Sequence, residues 1–126
     1  MDRVQVKLEF LFKSSQTIVY QFLTTPSCLV RWFCEGVDIN GKNYTFTWSG
    51  ADENAELVES VENEKLKFIW EDADEGEFLE FNLSKSPLTS ETIVEVIDYC
   101  DDDEIDETQQ LWESQFATMK KAMGGG

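Results

Sequence analysis

Residues 3–12 alternate without interruption. Val4, Val6, Leu8, Phe10 and Phe12 share one side, Arg3, Gln5, Lys7 and Glu9 the other, and Leu11 alone is apolar on the polar side. A period of two over this length predicts a long, half-buried strand. The period then changes. Ser14-Ser15 offers an N-cap, and Ile18, Val19, Phe22 and Leu23 form the stripe of a short helix. Thr25-Pro26 restarts with a threonine cap and a proline at the first helical position. This second short helix carries Leu29, Trp32 and Phe33 and stops at Gly36.

From there to Cys100 the pattern is one of hairpins. Val37–Ile39 and Tyr44–Trp48 flank Asn40-Gly41-Lys42, a strong tight-turn signal. Residues 54–61 form a further strand. Asn63-Glu64 turns into Lys65–Glu71, where Leu66, Phe68 and Trp70 alternate with lysines. Asp72–Gly76 turns into Phe78–Ser84, with Leu79, Phe81 and Leu83 on one face. Ser86-Pro87-Leu88 precedes a last strand over 91–99, whose inward side is left open: Val94 and Val96 oppose Ile93, Glu95, Ile97 and Tyr99. Residues 102–123 predict the longest helix. Ile105, Thr108, Trp112, Phe116, Met119 and Met123 recur at three- and four-residue steps, and Leu111 widens the stripe. Acids crowd its start, and Lys120 and Lys121 its last turn, both matching the helix dipole. Strand, two short helices, six strands and a long helix make one α+β domain.

Composition narrows the chemistry. The 126 residues hold 10 Lys and Arg against 26 Asp and Glu, a net charge of −16, and no histidine. That removes histidine general acid–base catalysis, Ser–His or Cys–His pairs and His-ligated metal. The negative field makes nucleic acid and anionic membranes poor partners. Of the acids, 12 lie in residues 52–80 and 7 more in 98–107. The start lacks a signal-peptide pattern and no run of apolar residues is long enough to span a bilayer, so the expectation is a cytoplasmic monomer without membrane insertion. Cys28, Cys34 and Cys100 lack CxxC spacing and are expected as free thiols. Gly124–Gly126 is expected to be a flexible tail after a single domain over 1–123.

Two acidic runs fail as calcium loops. Asp72–Gly76 has its glycine one place early and Leu83 where a glutamate belongs, and the run from Asp101 places Ile105 at a ligand position. No metal site and no cofactor are implied. Glu59 and Glu95 fall within otherwise apolar alternations; each is a candidate polar anchor facing an interior cavity, or an open rim position. Arg31, beside Trp32-Phe33, is a candidate partner for a ligand carboxylate or for an acidic neighbour. The aromatic set is the most informative feature. Trp32, Phe33, Phe46, Trp48, Phe68, Trp70, Phe81, Trp112 and Phe116, with Met119, all fall on inward faces. They either fill a core or line a cavity between sheet and long helix.

The stretch Thr25-Pro26-Ser27-Cys28-Leu29-Val30-Arg31-Trp32-Phe33 resembles the "T-x-P…L-x-x-W-F" pattern of the START-like, or SRPBCC, superfamily. The hairpin ending at Trp48, the Leu66–Trp70 strand and the Leu111–Phe116 helix are similar to its branch of heat-shock-protein-90 ATPase activator homologues. The resemblance implies a helix-grip fold, a curved antiparallel sheet around a long C-terminal helix, with a hydrophobic tunnel for a small ligand. Leu111 stands where that branch usually has glycine, and no polar triad of an enzyme branch is present. Binding of a small hydrophobic or amphipathic ligand, lipid-like in character, is therefore favoured over catalysis, and no catalytic residue is assigned. An acidic protein-interaction module of co-chaperone type is the alternative. A cyclase or hydrolase would rest on Glu59 or Glu95.

Overall fold

The alternation of residues 3–12 becomes β1 (Arg3–Phe12) in the computed structural model, which describes residues 2–124. Ser15 caps α1 (Gln16–Thr24), its hydroxyl accepting from the Ile18 amide at 3.3 Å. Next come α2 (Pro26–Leu29), β2 (Gly36–Asn40), β3 (Asn43–Trp48), β4 (Ala51–Val61), β5 (Lys65–Trp70), β6 (Leu79–Lys85), β7 (Thr92–Asp101) and α3 (Ile105–Ala122). The expected order holds. The glycine tail expected at 124–126 lies outside the described residues beyond Gly124.

Three boundaries differ from expectation by three residues or more: β4 begins at Ala51 rather than 54, and the other two have a clear local reason. After Leu29 the chain tightens into turns, with the Arg31 amide on the Cys28 carbonyl at 3.0 Å and that of Phe33 on Leu29 at 2.8 Å. This turns Trp32 inward, where its indole donates to the Phe22 carbonyl at 2.8 Å. The long helix starts at Ile105 rather than 102, because β1 claims the preceding residues. Arg3 pairs with Asp101 in the ladder, and the Asp102 amide donates to the Asp2 carbonyl at 2.8 Å.

The seven strands form one open antiparallel sheet in the order β1-β7-β6-β5-β4-β3-β2. The β2–β3 hairpin needs a two-residue turn, and Gly41 supplies its first position at φ +64. Register settles the face of β7. Phe12, Phe10, Leu8, Val6 and Val4 of β1 stand beside Thr92, Val94, Val96, Asp98 and Cys100, so these five point to the concave side.

Across that concave side lies α3, burying Trp112, Phe116 and Met119. Phe116 is the hub. Its ring meets Phe10 at 4.9 Å and Phe12 at 5.3 Å edge-on, and Trp32 at 5.6 Å and Trp112 at 5.5 Å at a tilt. It thereby joins β1, the turn after α2, and α3. Arg31 secures the far end of α3: its guanidinium donates to the Ala122 carbonyl, one of the orphan acceptors of a helix C-terminus, and sits 5.5 Å from the Phe22 ring centre.

Phe116→Ala should lower the unfolding free energy in urea by about 3–5 kcal/mol, since truncating a buried phenylalanine adds a cavity term to the lost transfer energy. Phe116→Leu should cost clearly less. A loss under about 1 kcal/mol for the alanine variant would show that α3 is not held through this ring.

Candidate functional site

The space expected between sheet and helix is almost completely filled. A partly open void of only about 10 Å³ remains, lined by Leu23, Leu29, Trp32, Phe33, Phe46, Phe68, Trp70, Leu79 and Phe81. That is at the lower limit for one water molecule, and an apolar lining gives a water nothing to bond. Rings fill the rest: Phe33 packs edge-on against Phe46 at 5.1 Å and Trp48 at 5.2 Å, and Phe81 against Trp112 at 5.7 Å.

Beside the filled interior lies a more open groove of about 300 Å³. Strands β3 to β7 each contribute one residue to it: Trp48, Glu53, Trp70, Leu79 and Asp98. Leu111, Trp112 and Gln115 of α3 form the opposite wall, and Phe33 closes one side. Phe33, Trp70 and Leu79 line both the void and the groove, so they are the partition between them. Leu111 is 54% exposed, an apolar side chain left on the rim.

Of the polar groove residues Glu53, Asp98 and Gln115, Asp98 is the one hydrogen-bonded to the groove wall. It stands on the concave face between Val96 and Cys100. Its Oδ2 accepts from the Trp112 indole at 3.0 Å and its Oδ1 from the Tyr99 amide at 2.8 Å. Burial pushes its pKa above the ordinary aspartate value. The two hydrogen bonds and the charge of Arg3 oppose that shift, and Glu77 adds to it.

A second opening, of about 380 Å³, adjoins the groove and shares Trp70 and Asp98 with it. The β5–β6 turn supplies Asp72, Ala73, Asp74, Glu77 and Phe78; Arg3 and Tyr99 complete the lining. Arg3 is held by Glu77 at 2.7 and 2.9 Å and by Asp101 at 3.2 Å. That bidentate contact, first among the causes, lowers the Glu77 pKa and raises that of Arg3.

Eight of the ten expected lining residues border one of these spaces. Trp32, Phe33, Phe46, Phe68, Trp70 and Phe81 reach the void; Trp48 and Trp112 join Phe33 and Trp70 at the groove. Phe116 and Met119 border neither and are core. The polar anchors fall elsewhere. In β4 a bulge at Val58 shifts the register, so Leu57 faces Phe68 but Glu59 lies beside Lys67. One extra residue moves Glu59 to the convex face. There its carboxylate meets Lys65 at 3.2 Å. Glu95 is convex too, accepting from Asn82 at 3.1 Å; Asn82 also bonds Glu80 at 2.8 Å. Neither glutamate reaches a substrate held between sheet and helix. Arg31 donates to the Ala122 carbonyl at the end of α3.

Asp98, Leu79, Leu111, Glu53 and Gln115 are the groove residues that did not enter the candidate set. For Asp98 a signal existed: counting by two from Val94 and Val96 lands on it. At the start of α3, Asp101, Asp103 and Glu104 bring carboxylate oxygens within 4.8 Å of one another. Asp101 is already paired with Arg3 and the others are exposed, which is the arrangement of a solvated helix start. The three thiols are free, and burial pushes that of Cys34 up to about 11. No helix among the described residues is long and apolar enough to cross a membrane.

A family model described as a START-like superfamily domain matches residues 1–125. Among solved structures, the chain is similar to BfR322 from Bacteroides fragilis, at 26% identity and TM-score 0.70, over 98% of this chain and 93% of that one. It is also similar to the Aha1 dimer from Colwellia psychrerythraea, at 19% identity and TM-score 0.79, over 94% and 95%. SSP2350 from Staphylococcus saprophyticus shares the fold at 12% identity and TM-score 0.79, over 96% and 92%. No curated protein sequence matches.

The raised pKa of Asp98 has a consequence for stability. The folded state holds this proton more tightly than the unfolded chain does. That contribution is complete below the ordinary aspartate range and is lost as pH rises through the raised value. Asp98→Asn keeps an acceptor for the Trp112 indole and never carries the charge. Its Tm relative to wild type should therefore rise between about pH 4 and pH 7. Parallel Tm profiles over that interval would mean that Asp98 titrates like an exposed carboxylate.

Proposed function

The chain belongs to the START-like superfamily, and we propose that it is a non-catalytic domain that binds a small hydrophobic or amphipathic ligand in the groove between β3–β7 and α3. The supporting observation is the shared partition: Phe33, Trp70 and Leu79 separate an open, apolar-walled groove from an aromatic interior. A ligand on the groove side covers Leu111 and the faces of Trp48 and Trp70. Each Å² of apolar surface removed from water contributes about 25 cal/mol before ordering costs. The groove's volume lies at the lower end of small-molecule sites, of roughly 300–1,000 Å³. A longer ligand requires the partition side chains to rotate inward, against a core that has almost no free volume. This reading puts the ligand at the mouth rather than inside a tunnel. The free thiols suit the cytoplasm as its place of action.

The filled interior favours a second reading, an interaction module that presents its acidic surface to a basic protein. Such charge-led binding weakens steeply with salt, whereas apolar contacts in the groove do not.

A titration with decyl glucoside, followed by amide and indole NMR, separates the two. Groove binding shifts the indole signals of Trp48, Trp70 and Trp112 and leaves Trp32, bonded to Phe22 in the interior, as internal control. Leu111→Glu should weaken the titration about tenfold by placing a charge on the rim. Shifts absent at saturating probe, or scattered over the convex face, would sink the groove reading.

A further inference from the structure

We propose that the groove selects amphipathic cations: the apolar body lies along the groove and a protonated amine or quaternary ammonium end enters the adjoining cleft. This rests on the groove reading above and adds the chemical class of the ligand.

The first support is continuity. Groove and cleft meet at Trp70 and Asp98, so one molecule can occupy both, with an apolar end toward Leu111 and a polar end toward the β5–β6 turn. The second is the make-up of the cleft. Its walls combine the rings of Trp70, Phe78 and Tyr99 with the carboxylates of Asp72, Asp74, Glu77 and Asp98. Ring faces with carboxylates around them attract ammonium groups, and more so those of weak hydration.

The third is charge balance. Arg3 is the one cationic residue lining the cleft, and its guanidinium is already engaged by Glu77 and Asp101, with Asp74 a further 3.6 Å away. What faces an incoming ligand is therefore net negative. Outside that lining, on the convex side, Lys67 Nζ sits 4.3 Å from the centre of the Phe78 ring, a second cation near the cleft that the four lining carboxylates still outnumber. An anionic amphiphile would meet these carboxylates and the −16 of the whole chain.

Three comparisons test the proposal. Decyltrimethylammonium and decyl glucoside, both kept below micellar concentration, have the same tail and differ in the head. By calorimetry at low salt the cation should bind about tenfold or more tightly than the glucoside. In Asp72→Asn/Asp74→Asn, both exposed turn positions, that preference should shrink to about threefold or less, whereas Glu62→Gln/Glu64→Gln, at the opposite end of β5, should retain it. Equal binding of the two probes would overturn the cation proposal and leave the groove reading standing. An equal loss of preference in both double variants would also overturn it, since the attraction would then come from the overall field. Binding of neither probe would overturn both readings.

Discussion

A seven-stranded curved sheet has a concave face far wider than one helix can cover, and that mismatch shapes the rest of the molecule. The 18-residue α3 packs over the β1–β7 side, where Phe116 locks it to Phe10 and Phe12. Strands β3 and β5 lie beyond its reach and must satisfy their inward faces by other means. They do so with large rings: Tyr44, Phe46, Trp48, Phe68 and Trp70 cover one another at centroid separations of 5.1–6.5 Å. Phe33, delivered by the turns after α2, closes the gap to α3 by stacking toward Trp112. A sheet half covered by helix and half by its own aromatics has little interior left to hollow out. Its open space is at the seam, where the rings of β3 and β5 face the side of α3 that carries Leu111.

That seam explains where polarity is tolerated. Asp98 occupies a concave position, a costly place for a carboxylate unless it is bonded. The Trp112 indole and the Tyr99 amide supply those bonds, and in return Asp98 fixes the Trp112 ring at the groove wall. Trp48 is held in the same way, its indole donating to the Phe33 carbonyl at 2.7 Å. Two of the three groove tryptophans, Trp48 and Trp112, are thus oriented through the nitrogen while lining the groove. Such pre-ordered rings lose little rotamer freedom when a ligand covers them.

Much of this was legible from period alone. The alternation in β1, the Asn40-Gly41 turn and the α3 stripe correspond directly to elements, because a strong period survives any reasonable packing. The aromatic faces were legible as inward, but not whether they enclosed space, since side-chain volume against sheet curvature is a tertiary quantity. Which of its two open positions Glu59 takes was not legible, because a bulge at Val58 leaves no mark in the hydrophobic pattern: Leu57 and Glu59 are two apart, yet face opposite sides. The inward position of Asp98 is hidden for the converse reason. Ile93, Ile97 and Tyr99 make the outer row of β7 look as apolar as the inner one, and only pairing with β1 distinguishes them.

The acidic excess takes a position on this frame. On the convex face, Glu59, Glu80 and Glu95 are tempered by Lys65 and Asn82, so charge there is partly neutralised and bonded. At the β5–β6 turn Asp72, Asp74 and Glu77 gather around an opening, and their one counter-ion within it, Arg3, comes from the far edge strand. Arg3 is able to reach because β1 is the neighbour of β7, whose end lies beside that turn. Edge-strand pairing and local charge are therefore linked. The contact that anchors the start of β1 also consumes the one guanidinium that would otherwise offset the cleft, and the remaining carboxylates are left facing the aromatic seam.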